Sequence, residues 1–133
     1  MDRLLTLADA DGVRVMWRNL GKRRGEYKHT ARLITINPRM SDLLQRSTLA
    51  HELGHAYYGD QWTDDPAVKD AQERRANRYA ARLLISPLEY AVAEAMVGPS
   101  VGALAKELGV STYIVEAWQA APPVSYFQLK GLA

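Results

Sequence analysis

The chain has 133 residues, 47% of them hydrophobic and 24% charged, with a formal net charge of +2. This length and composition fit one globular domain and exclude a disordered chain, and the charge is too small for a protein whose main task is coating nucleic acid. With no cysteine, disulfides, thiolate metal sites and cysteine nucleophiles are excluded, so any metal must be held by nitrogen and oxygen.

The start, "MDRLLTLADADGV", lacks the long apolar core of a signal peptide, and no window approaches the roughly 18 apolar residues of a membrane span. A soluble, cytoplasmic protein is the expectation. Residues 3 to 10 suit a short helix ended by Asp11 and Gly12. Val13, Val15 and Trp17 alternate with polar or longer side chains, the period of a half-buried strand. "LGKRRGE" then supplies a turn, and "YKHTARLITINP" reads as a return strand stopped at Pro38. The expected unit is an antiparallel hairpin over 13–37, with Lys22, Arg23 and Arg24 as a solvated basic tip.

From Ser41 a helix is predicted over 41–58, stopped by Gly59. Asp65 followed by Pro66 pairs an N-cap with a proline at the first helical position, opening a helix over 66–85. Ser86, Pro87 and Glu89 form a capping box for a third helix over 87–97, ended by Gly98 and Pro99. Two short helices follow, Ser100 to Leu108 and Ser111 to about Ala120, and the segment from Pro122 is expected to be irregular. The fold class is therefore α+β: a small antiparallel strand unit on a two-helix core, 1–98, followed by a helical tail, 99–133, packed on that core.

The segment "TLAHELGHAYYGD" carries the chemistry. On a helix, His51 and His55 share a face and aim two imidazoles at one point, which suits a tetrahedral zinc ion. Glu52 lies one step round, within reach of water at that point without ligating. This is the HExxH arrangement of zinc peptidases, with glutamate as general base. A metzincin would place glycine and histidine where Tyr58 and Gln61 stand, so that branch fails. The third ligand must come from Asp60, Asp64, Asp65, Asp70, Glu73, Glu89 and Glu94, or from His29 upstream.

The second helix separates these donors. Arg74, Arg78 and Arg82 form one stripe with Arg75 beside it, while Glu73, Ala76, Asn77, Ala80 and Leu84 form a smaller and more apolar one. Glu73 thus falls on the face expected to pack inward, where a carboxylate needs a cation. Asn77, one turn on, is placed to bond the second nitrogen of a ligand histidine.

At this point the sequence resembles a known family. "LITINPRMSDLLQRSTLAHELGHAYYGD" with "ERRANRYAARLLIS" is similar to the ImmA/IrrE metallo-endopeptidases, whose pattern is a strand, a helix with HELGH, and a second helix opening ExxAN-x-[FY]-A-x-x-LL. The similarity spans roughly residues 27 to 87. Pro87 stands where the family has a proline, but an Ile-Ser pair replaces its common Met-Pro junction. The resemblance implies His51, His55 and Glu73 as metal ligands, Glu52 as base, one zinc ion per chain (or another divalent transition metal), and a protein substrate such as a transcriptional repressor of a phage, mobile element or stress regulon.

Two points stay open in the residues. A donor for the developing oxyanion is available from Tyr57, Tyr58, Tyr79, His29 or an arginine, and the strand "ARLITIN" offers an edge for an extended substrate. The tail "VGALAKELGVSTYIVEAWQ" has the small-residue spacing of a helix-turn-helix, with Ala105, Gly109 and Val115. Its second helix contains no Lys or Arg, which argues for packing or protein recognition over DNA contact. The competing function is a regulatory binding module that keeps a structural metal site and uses this tail.

Overall fold

The computed structural model describes residues 1–131, so the last two positions of the tail lie outside the described residues. Helix α1 (Asp2–Ala10) buries Leu4 and Ala8, one turn apart, and is turned by Gly12 at φ +71° into strand β1 (Arg14–Trp17). Strands β2 (Gly25–Lys28) and β3 (Leu33–Ile36) complete a three-stranded sheet of order β1-β3-β2.

The sheet differs from the expected hairpin over 13–37. The supposed return strand is itself a hairpin, broken at residues 29–32, where Arg32 adopts φ +46° and its amide donates to the His29 carbonyl at 3.1 Å. β2 and β3 pair antiparallel with Tyr27 opposite Ile34, while β1 runs parallel to β3 with Val15 opposite Ile34. Alternation marks a strand but not its partner. The partner is set by burial: Ile34, Thr35 and Ile36 are all buried, which only the central strand under a helix layer can be. "ARLITIN" therefore offers no free edge, and β2 does. The buried Asn37 donates to the carbonyls of Gly21 and Arg23 (3.0 and 2.9 Å), fixing the 18–24 loop that carries the chain across to β2.

Helix α2 (Asp42–Tyr58) starts on the Ser41 hydroxyl, which accepts from the Leu44 amide, and stops at Gly59 in the left-handed conformation. Helix α3 (Pro66–Leu84) starts on Asp65, whose carboxylate accepts from the Ala67 amide at 2.9 Å. Helix α4 (Pro87–Val97) opens with the reciprocal Ser86–Glu89 capping box. Helices α5 (Val101–Leu108) and α6 (Thr112–Ala120) are joined through Gly109 at φ +68°.

Residues 124–131, expected to be irregular, form helix α7 (Val124–Gly131). It is held by tertiary contacts: Tyr126 packs edge-on to Tyr90 with ring centroids 5.3 Å apart, and Tyr126 and Lys130 each donate to Glu94 at 2.8 Å. The α5–α6 turn is tied to α2, with the Ser111 amide donating to Ser47 Oγ at 3.1 Å and Arg46 to the Gly109 carbonyl at 3.3 Å. Ile114, Val115 and Trp118 of α6 are buried in the same apolar cluster as Leu49, Leu53 and Ala80 of α2 and α3. No helix among the described residues is long and apolar enough to cross a membrane.

Candidate metal centre and groove

The site begins with a glycine. An added Cβ on Gly54 would lie 2.8 Å from the Ala76 Cα and 2.9 Å from its carbonyl oxygen, so α2 and α3 approach as closely as backbone allows. That contact brings Glu73, one turn before Asn77 on α3, over the histidine face of α2. His51 Nε2 and His55 Nε2 are 3.1 Å apart, and the Glu73 carboxylate meets them at 3.0 and 3.2 Å.

The far nitrogens explain the orientation. His51 Nδ1 lies 2.7 Å from Asn77 Oδ1, and His55 Nδ1 lies 2.9 Å from Asp60 Oδ2. Both partners are acceptors, so each Nδ1 carries the hydrogen and each Nε2 turns its other face inward. Two Nε2 lone pairs and a carboxylate thus converge on one point. For zinc bonds of about 2.0 to 2.1 Å, tetrahedral geometry puts ligand atoms roughly 3.3 Å from each other. The observed separations of 3.0 to 3.2 Å are close to that, and the donor set fits a divalent transition metal.

The surrounding carboxylates favour positive charge at this point, so a proton on His55 Nε2 competes with a metal cation for it. Burial disfavours a charged His55, yet the carboxylates of Glu73 and Asp60 outweigh it and hold its pKa up at about 9. Hydrogen bonds from His51 and His55 drive Glu73 well below the usual carboxylate range. Behind His55, Asp60 also accepts from Arg75 at 2.8 Å, and that guanidinium lies 4.7 Å from the Tyr58 ring. Asp60 stood among the possible ligands in the sequence; here it faces the outer nitrogen of His55.

By proximity alone, His51, Glu52 and His55 form the acid–histidine group that can hold a metal, with donor atoms within 4.8 Å of one another. The environments of the two glutamates separate them. Glu73 is about half exposed and touches both Nε2 atoms, whereas Glu52 is 5% exposed and its Oε2 has no partner. Burial raises the Glu52 pKa against the pull of His51 and His55. A Cβ on Gly25 would meet Thr48 at 2.7 Å and the Glu52 side chain at 3.4 Å, so β2 closes over this carboxylate only because residue 25 has none.

Residues 8–117 match the family described as IrrE N-terminal-like domain, Peptidase_M78. The chain belongs to this family. Comparison with curated proteins gives no match. The Peptidase_M78 match takes in the sheet and α2 to α5, and runs across Gly98 into α6. The chain thus carries a peptidase domain whose histidine pair and glutamate can bind a metal.

Two cavities flank the Peptidase_M78 site, of about 460 and 340 Å³, and both are lined by Arg23, Gly25, Glu52 and Glu73. The larger reaches Asn77 and Tyr113; the other reaches Asp60, Lys69 and Trp62, which is 88% exposed. Of the suggested oxyanion donors, Tyr57, Tyr58, Tyr79 and His29 line neither cavity. His29 Nδ1 bonds the Tyr27 hydroxyl at 2.8 Å, and its ring lies against Gly59. Tyr27 lines the smaller cavity, and the tyrosine in the larger one is Tyr113, from the supposed helix-turn-helix tail, 6.3 Å from the His51 ring. Burial holds its phenol up at about 12, against the pull of Thr48 and Arg24. No local signal in the sequence points to it, since its position depends on α6 packing against α3.

Proposed function

We propose that this chain is a zinc-dependent endopeptidase that cleaves a specific protein, a helix-turn-helix transcriptional repressor. The observation that carries the reading is a pair of unlike glutamates: Glu73 against both Nε2 atoms, and Glu52 buried beside them with a free carboxylate oxygen. His51, His55 and Glu73 would hold one zinc ion, or another divalent transition metal. When bound, zinc acts as a Lewis acid toward a peptide carbonyl and makes water more acidic.

The chain's own groups supply the rest. Glu52, with its pKa raised by burial, takes a proton from water and returns it to the leaving amine. Asn77 and Asp60 hold the imidazoles in the tautomer that turns Nε2 inward. The unpaired edge of β2 faces the groove and gives an extended peptide main-chain partners, in place of the β3 edge. The Tyr113 hydroxyl, protonated at neutral pH, is the donor for the oxyanion.

A site kept only for structure has no use for a buried carboxylate such as Glu52, which speaks against a purely regulatory module. The repressor as substrate rests on the family resemblance, and α6, packed on α3, is given no part in DNA binding. The test is incubation with helix-turn-helix repressors encoded beside its gene, with and without chelator. Glu52→Gln should lower cleavage by on the order of 10²- to 10⁴-fold with stoichiometric zinc retained. Unchanged cleavage by that variant overturns the mechanism.

A further inference from the structure

The larger cavity does not end at Tyr113. A third cavity, of about 280 Å³, shares Asn77 and Tyr113 with it and continues between α3 and α6 past Arg74, Arg78 and Glu116. A groove therefore runs from Glu52, under Arg24, to the exposed side of α3. Its arginines are unlike their neighbours in sequence. Arg23 is neutralised by Glu26 at 2.8 Å and Arg75 by Asp60 at 2.8 Å. Arg24, Arg74 and Arg78 have no carboxylate partner among the described residues. Arg24 lies 5.9 Å from the Tyr113 ring centroid, above the junction of the two cavities.

The opposite end of the groove is different. There Arg23 and Lys28 both pair with Glu26, Lys69 alone among the lining cations has no carboxylate partner among the described residues, and the prominent feature is the exposed Trp62. Guanidinium groups without a carboxylate partner are thus concentrated on one side of the catalytic carboxylate, where Glu116 is the acid that shares the lining with Arg74 and Arg78.

We propose that the segment lined by Arg24, Arg74 and Arg78 is a subsite for acidic side chains lying on one side of the scissile bond. This assignment rests on the peptidase reading and adds a substrate class to it. Guanidinium groups suit carboxylates because their planar forks donate two parallel hydrogen bonds. A nucleic acid fits less well, since its charge is continuous and would have to pass Glu52, Glu73, Glu26 and Asp60. A peptide can carry its charge on one flank only. The arginine stripe of α3, which in the sequence looks like an ordinary solvated face, acquires a ligand through α6.

The test reads binding apart from catalysis. Two fluorescein-labelled peptides, one with Asp and Glu along one flank and the other with Asn and Gln there, are titrated by anisotropy against zinc-loaded Glu52→Gln protein. The acidic peptide should bind about tenfold more tightly, the sum of three exposed charge contacts. The difference should vanish in the combined Arg24→Ala, Arg74→Ala, Arg78→Ala protein and reverse with Glu at the three positions, with circular dichroism checking that each is folded. Equal binding of the two peptides, or a preference that survives the triple alanine change, overturns the proposal. So does a single-stranded oligonucleotide that competes through the same arginines as tightly as the acidic peptide. Wild-type zinc-loaded enzyme acting on a randomised peptide library should enrich acids on one side of the cut. Failure of the peptidase reading shows separately there, as a library left intact while the binding difference stands.

Discussion

Gly54 meets Ala76 without room for a methyl group: a Cβ on the glycine would lie 2.8 Å from the alanine Cα. This is the contact that sets how far Glu73 stands from the two histidines. The glycine of HELGH is therefore a packing requirement between helices, imposed from α3.

Gly54→Ala tests it. In an isolated helix alanine would be favoured over glycine by up to about 1 kcal/mol. Here the methyl meets backbone, and overpacking of that kind costs about 1 to 3 kcal/mol. Net destabilisation and weaker zinc binding are expected together, from thermal melts of the zinc-free protein and chelator competition. A more stable variant with unchanged zinc affinity would remove the contact from the argument.

Asp60 acts through His55. Asp60→Ala takes away the acceptor that fixes the His55 tautomer and leaves Arg75 without its partner. Zinc affinity should fall by roughly 10- to 100-fold, the usual effect of losing such a partner. Asp60→Asn, which keeps an acceptor oxygen, should recover part of that loss. A zinc-binding site abolished equally by both changes would make Asp60 a ligand and contradict the geometry.

What could be read from the sequence was local. Ser41, Asp65 and Ser86 start helices by bonding amides two or three residues away, so their signals need no knowledge of the fold. The facing of His51 and His55 is likewise a property of helical spacing. The sheet was legible only as strands, because the hairpin break at Arg32 is one residue with positive φ, and the parallel pairing of β1 with β3 follows from burial contributed by α2. Helix α7 begins after Pro123 without a strong cap and is held by Tyr90 and Glu94. Tyr113 belongs to the site because α6 lies on α3. The spacing of Ala105, Gly109 and Val115 marks the turn at Gly109 between α5 and α6 but carries no information about what α6 packs against.

The α4–α7 contact has a pH signature. Hydrogen bonds from Lys130 and Tyr126 lower the Glu94 pKa below its ordinary value. The folded value being the lower one, this carboxylate stabilises the fold above its unfolded pKa, and the contribution is lost as pH falls through the folded pKa. Lys130 is half exposed, so solvent screening keeps the effect below about 1 kcal/mol at neutral pH. Glu94→Gln should therefore be slightly less stable than the wild type near pH 7, and the two should converge as the pH drops below the normal carboxylate range. Urea unfolding of the zinc-free proteins at a series of pH values measures this. A gap that stays constant into acid would show that the contact is packing alone.

Tyr113→Phe isolates one hydroxyl. The ring remains edge-on to His51, and what is lost is the hydroxyl with its hydrogen bond to Thr48, so folding and zinc content should change little. A donor aimed at charge that develops only in the transition state contributes to kcat and not to substrate binding. Its loss should lower kcat by on the order of 10²- to 10³-fold with KM nearly unchanged, measured on whichever peptide the wild-type enzyme cleaves. If KM rises while kcat holds, Tyr113 is a wall of the groove, and the oxyanion must be met by another donor lining the same cavity, such as Arg24, whose guanidinium lies 5.9 Å from the ring centroid. The paired change Arg24→Ala then decides between them: a fall in kcat there assigns the role to the guanidinium, whereas a loss of preference for acidic peptides with kcat intact leaves it a recognition residue.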